Sequence, residues 1–93
     1  LRPRVTDRRL IEALRASIGY CELCGCWPGS GARAVHHCRS RGSGGGDTLD
    51  NLIVLCPACH RKAHQGTVSR EELKEIISER NLRIATEALR GRA

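Results

Sequence analysis

Two Cys-x-x-Cys pairs, Cys21-Glu-Leu-Cys24 and Cys56-Pro-Ala-Cys59, constrain this chain more than any other feature. Each pair lets one tight turn offer two thiolates, and two such turns complete a tetrahedral zinc site. A chain of 93 residues makes one domain at most, and at that size hydrophobic burial alone is marginal. Phe and Met are absent and Trp and Tyr occur once each, so the core must be built of Leu, Ile, Val and Ala. Cysteines in so small a chain mean disulfides in an oxidising compartment or metal in a reducing one, and the spacing favours metal. Four thiolates fill the shell, so this zinc is expected to hold the fold without touching substrate. Thirty-one residues lie between Cys24 and Cys56, enough for the metal to clamp the two ends of an inserted functional segment. Cys26 and Cys38 are left over. Either fits as a small buried hydrophobe, and Cys26 could in principle replace Cys24 as a ligand.

The elements around this clamp follow from periodicity and punctuation. Residues 1–5 read as a loose basic arm. Thr6 or Asp7 can cap a helix with Leu10, Ile11, Leu14 and Ile18 on one face, and Gly19 is placed to end it. A turn-rich loop, PGSGA, follows the first cysteine pair. Residues 32–38 read as a short strand and 52–55 (LIVL) as a stronger one, pairing across a glycine-rich loop over 39–51. Pro57 suits the first turn of a short helix that Gly66 stops. Ser69 and Glu72 form a capping box for a long final helix with Leu73, Ile76, Ile77 and Ile84 on its apolar face, and a basic tail ends the chain. The expected organisation is α+β: a basic arm and helix over 1–19, a zinc-stapled core over 20–66, and a helix and tail over 67–93.

The formal charge of +6 and pI near 9.4 come almost wholly from arginine, since Lys62 and Lys74 are the only lysines. Guanidinium is a planar, bidentate phosphate ligand that stays charged, so this excess points to nucleic acid; the bland alternative is a solvated surface. No apolar run resembles a signal peptide or a membrane span. A cytoplasmic location, in a bacterium or a phage-infected host cell, is therefore expected, with no membrane partner. The chain begins at Leu1, which leaves a removed leader or a larger parent open.

All four histidines lie between positions 36 and 64. His60 and His64 stand four apart on the expected helix, so both rings leave one face and can bind one ion. His36 and His37 are strand neighbours, which point to opposite faces and cannot do the same job. One can close the metal site while the other turns to a water as general base.

These residues resemble the HNH endonucleases, the ββα-metal (His-Me finger) nucleases. The family pattern of C-x-x-C, a histidine pair or Asp-His, Gly-Gly, Asn-Leu and Leu-Cys-x-x-Cys-His is met by Cys21, Cys24, His36, His37, Gly45, Gly46, Asn51, Leu52, Leu55, Cys56, Cys59 and His60. The resemblance implies a zinc-stapled ββα-metal core with flanking helices. It implies His37 as general base, His36 and His60 as ligands of one divalent ion, and Asn51 pinning the loop that holds the base. His64 is a third ligand where members use that helical position so, and a bystander where water completes the shell. His36 stands where Asp is often found, which broadens the tolerated ions to Zn²⁺, Ni²⁺ or Mn²⁺ as well as Mg²⁺. Arg39, Arg41, Arg61 and Lys62 are the expected contacts to DNA, double-stranded by the family's habit. Products with 5′-phosphate and 3′-hydroxyl ends, weak sequence specificity, nicking or double-strand cleavage, and a phage packaging terminase as partner also follow from the resemblance.

Two functions of different class fit. One is a metal-dependent DNA endonuclease; the other is a non-catalytic zinc-ribbon module binding nucleic acid or protein through its basic surface. The histidine quartet discriminates, because a binding module has no use for His36, His37 and His60 together.

Overall fold

A computed structural model describes residues 4–27 and 32–91. The start of the basic arm, the PGSG turn and the end of the basic tail lie outside the described residues. Helix α1 spans Arg8–Ser17 and strand β1 spans Ala34–His37. After a 3-10 turn at Arg41–Ser43 come β2 at Leu52–Leu55, α2 at Pro57–Gln65 and α3 at Arg70–Arg90.

The two strands form an antiparallel hairpin in which Ala34 pairs with Leu55, Val35 with Val54, His36 with Ile53 and His37 with Leu52. All four residues of β2 are fully buried. That burial explains the unbroken LIVL run, because the strand is covered on both faces and needs no alternation. Ile53 and Leu55 join Leu73 and Ile77 of α3 and the cysteines in one cluster. Leu52 and Val54 join Leu14 of α1, with Leu10, Ile11 and Ile18 packed beside them. Each fully buried Leu or Ile contributes about 1.5–3 kcal/mol, so this one strand ties both flanking helices to the hairpin.

The outer edge of β2 is closed by the first cysteine turn. The Glu22 amide donates to the Val54 carbonyl at 2.9 Å, and the Val54 amide donates to Glu22 Oε1 at 2.9 Å. The same oxygen accepts from Arg80 Nη1 at 2.7 Å, and Arg80 Nη2 donates to the Leu49 carbonyl at 2.7 Å. Arg80 is only 4% exposed. A buried ion pair that satisfies a strand edge and a loop carbonyl at once substitutes for a third strand.

Asp7, not Thr6, caps α1, its Oδ1 accepting from the Leu10 amide at 3.1 Å. The helix stops at Ile18, which turns extended and stays packed on the Leu14 cluster, so Gly19 is not its cap. Gly66, left-handed at φ 77°, ends α2 as expected. Ser69 Oγ accepts from the Glu72 amide at 3.1 Å and caps α3. The apolar face expected on α3 ends early: Leu73 and Ile77 are buried, Ile84 is exposed, and the third inward position is Arg80. The basic arm also differs from expectation. Residues 4–7 are docked, with Arg4 Nη1 donating to Asp47 and the Gly45 carbonyl, and the Asp47 amide donating to the Val5 carbonyl.

Candidate active site and metal centres

The zinc residues converge as their spacing demands. The thiols of Cys21, Cys24, Cys56 and Cys59 lie within 4.8 Å of one another. The sulfurs of Cys24 and Cys56 are 3.9 Å apart, against about 3.8 Å for two thiolates on one tetrahedral zinc with Zn–S bonds near 2.3 Å. The Cys24 amide donates to Cys21 Sγ and the Cys59 amide to Cys56 Sγ, bonds that stabilise charged sulfur. This cluster is consistent with structural zinc. Cys38 is a buried member of the core, whereas Cys26 is exposed beside the cluster and its carbonyl accepts from the Cys21 amide.

The hairpin register decides what each neighbouring histidine meets. His36, opposite Ile53, turns to the α2 side, where its ring centroid is 5.3 Å from that of His60 and 5.2 Å from that of His64. The Nε2 atoms of His60 and His64 are 3.0 Å apart. Two nitrogens held at about 2.1 Å by one ion stand about 3.0 Å apart in octahedral and about 3.4 Å apart in tetrahedral geometry, so the donor set fits a divalent ion. The three rings form a second group with ligand atoms within 4.8 Å, separate from the thiols. Burial, then the neighbouring His60, His64 and His37, holds the His36 imidazolium down to about 4; burial also lowers His60. Neutral imidazole is the form that ligates.

His37, opposite Leu52, turns the other way. Its Nε2 lies 2.7 Å from Asp47 Oδ1, and Asp47 is 5% exposed. The His37 bond, the Asp7 amide and the Arg4 guanidinium keep the Asp47 carboxyl well below the usual range, so it is ionised at neutral pH. An ionised carboxylate only accepts, so Nε2 carries the proton and Nδ1 holds the lone pair of the neutral ring.

Asn51 locks the loop between the strands. Its Oδ1 accepts from the Arg39 amide at 2.8 Å, while Nδ2 donates to the Arg39 and Gly46 carbonyls at 3.1 and 2.9 Å. Gly45 is required by close approach: a Cβ there would sit 1.7 Å from the Arg39 carbonyl oxygen. The glycine run is thus packed against the backbone just beyond the histidine pair.

His36, His37, His60, His64 and Arg41 line one cavity of about 490 Å³. The other expected DNA contacts are not gathered there. Arg39 spends its Nε on the Ser43 carbonyl at 2.9 Å, and Arg61 and Lys62 are exposed on α2 outside this cavity. Sequence reasoning missed three residues. Arg70, at the start of α3, lines the cavity. Arg80 hid inside a helical pattern. Asp47 looked like part of a linker, although a general base needs an orienting acceptor and only Asp47 and Asp50 in that loop could supply a carboxylate.

A two-stranded hairpin followed by a helix, with histidines facing each other across it and a four-cysteine cluster at its ends, defines a ββα-metal nuclease fold. The HNH endonuclease family model matches residues 21–66. The chain carries an HNH endonuclease domain. It is 41% identical over 69 residues to the type IV methyl-directed restriction enzyme EcoKMcrA of Escherichia coli K12, a match covering 68% of this chain and 25% of that enzyme. It is also 37% identical over 41 residues to anaredoxin of Nostoc sp. PCC 7120, covering 44% of this chain and 54% of that protein. The chain thus spans a quarter of the first relative and about half of the second, and neither name points to a packaging terminase. Among the described residues no helix is long and apolar enough to cross a membrane.

Proposed function

We propose that this chain is a metal-dependent DNA endonuclease that hydrolyses phosphodiester bonds with one divalent ion and His37 as general base, with weak sequence preference. The observation that carries the reading is the division of the histidine pair. His36 meets His60 and His64 while His37 meets Asp47, yet all four histidines line one cavity.

In this reading His37 Nδ1 takes the proton from an attacking water, and the Asp47 carboxylate stabilises the imidazolium that results. Asp47 also fixes the ring so that no reorientation is needed at the moment of attack. Asn51 holds the loop that carries Asp47 and Arg39. Arg41 and Arg70 stand at the cavity to neutralise phosphate oxygens. His36, His60 and His64 would hold the ion, which supplies charge stabilisation for the phosphodiester oxygens. An all-nitrogen protein set suits Zn²⁺ or Ni²⁺ better than the oxygen-seeking Mn²⁺ or Mg²⁺. Cys21, Cys24, Cys56 and Cys59 would hold a zinc that stays out of the chemistry.

The test is nicking of supercoiled plasmid by the zinc-loaded protein across Mg²⁺, Mn²⁺, Ni²⁺, Co²⁺ and Zn²⁺. Conversion to open-circle or linear DNA with at least one ion is expected. Salt-dependent DNA binding with no nicking under any ion would replace the nuclease by a non-catalytic binding module.

A further inference from the structure

A second cavity, of about 530 Å³, opens on the α1 side of the hairpin. Four arginines line it, Arg4, Arg8, Arg15 and Arg41, against two carboxylates, Glu12 and Asp47. Asp47 is already committed to Arg4, His37 and the Asp7 amide. Among the described residues no ion pair joins Arg8, Arg15 or Arg41 to a carboxylate. The cleft therefore presents guanidinium groups that the chain itself does not neutralise.

Its position gives those charges a use. Arg41 lines both this cleft and the histidine cavity. His37 lines the one and Asp47 the other, joined by their 2.7 Å bond. Arg41 and the His37–Asp47 pair thus mark the boundary between the histidine cavity and the arginine cleft. Arg8 and Arg15 are seven residues apart in α1, two turns and about 10 Å along one face, so they reach different anionic groups on an extended ligand. Arg4, Arg8 and Arg15 all precede the segment the family model covers.

We propose that this cleft binds the phosphodiester backbone of the DNA strand beside the scissile bond, with Arg8, Arg15 and Arg41 on separate phosphates and Arg4 linking the docked arm to Asp47. The proposal rests on the nuclease reading. Its ligand is a polyanionic strand, since bidentate guanidinium suits phosphate and the cleft shares Arg41 with the cavity where a phosphodiester would be cut.

The experiment measures binding of a fluorescent 20-base-pair duplex by the full zinc-loaded chain, without other divalent ions, at several salt concentrations. The double variant Arg8→Gln/Arg15→Gln is compared with Arg83→Gln/Arg90→Gln, which removes the same charge from the far half of α3. Each phosphate contact contributes about 0.9 to the slope of log K against log salt, so the cleft variant is expected to lose nearly 2 from that slope and at least tenfold in affinity. The α3 variant should keep the wild-type slope. Ni²⁺ affinity of the histidine group and zinc content should stay unchanged in both. An unchanged slope in the cleft variant, or an equal loss in the α3 variant, overturns the proposal. Tighter binding of a glutamate-rich peptide than of the duplex also overturns it, in favour of a protein partner. The two readings fail separately: wild type that binds through the cleft but never nicks plasmid sinks the nuclease alone, and a cleft variant that binds and nicks like wild type sinks the cleft alone.

Discussion

Asp47 Oδ1 sits 2.7 Å from His37 Nε2, and its other oxygen accepts from the Asp7 amide at 2.9 Å. One carboxylate thereby orients the proposed base and fastens the N-terminal arm to the loop beneath it. In the proposed mechanism the arm outside the HNH segment thereby supports the residue that orients the base.

Asp47→Asn preserves the shape and an acceptor for Asp7 but removes the charge that fixes the His37 tautomer. Single-turnover cleavage should fall at least tenfold with duplex affinity and zinc content retained. A wild-type rate in the variant would show that His37 needs no anionic partner.

The zinc account is tested by metal content and chelation. Purified protein should hold at least one zinc per chain, and strong chelators should strip the cysteine site only with loss of helical circular dichroism, because binding and folding are linked at such sites. Cys56→Ala, which removes both a ligand and the cap of α2, should fail to fold stably. Full helicity with no zinc bound would contradict this.

Breaking the Arg80–Glu22 pair leaves a buried charge alone, so Arg80→Ala should cost about 3–5 kcal/mol in denaturant unfolding. Replacing both with apolar residues should recover part of that loss, although the Val54 amide would still lack a partner and the Leu49 carbonyl would keep only Asn81 Nδ2 at 3.3 Å. A loss under ~1 kcal/mol, the range of exposed pairs, would mean that the pair is not buried in solution.

His36 should titrate near pH 4 in the zinc-loaded protein before any other divalent ion is added, as followed by NMR of its ring protons. Its folded value lies below the ordinary value of about 6.5, so the unfolded chain binds more protons between those limits. Stability should therefore fall as pH drops from about 6.5 toward 4, and His36→Asn should make that fall shallower. A midpoint near the ordinary value would show that the ring is not held among His60 and His64.

The parts of this molecule legible in its sequence were those set by spacing. The cysteine pairs, the period-two opposition of His36 and His37, and the i, i+4 relation of His60 and His64 are local geometry, and the hairpin register converts them directly into two separate groups. LIVL announced a strand, and the structure adds that it is buried on both sides. What stayed hidden depended on distant partners. Asp47 reads as a turn residue until the arm and His37 close on it, and Arg80 reads as a surface charge until Glu22 arrives from 58 positions away. The exposed Ile84 was misleading for the opposite reason, since helical periodicity continues past the point where the core ends.

The central claim concerns His37, and plasmid nicking by His37→Ala under the most active divalent ion tests it most directly. The account predicts a protein that folds, keeps its zinc and binds duplex like wild type, but cleaves at least 10²-fold more slowly, the usual contribution of a positioned general base being about 10²–10⁴. Cleavage by His37→Ala at the wild-type rate would contradict it.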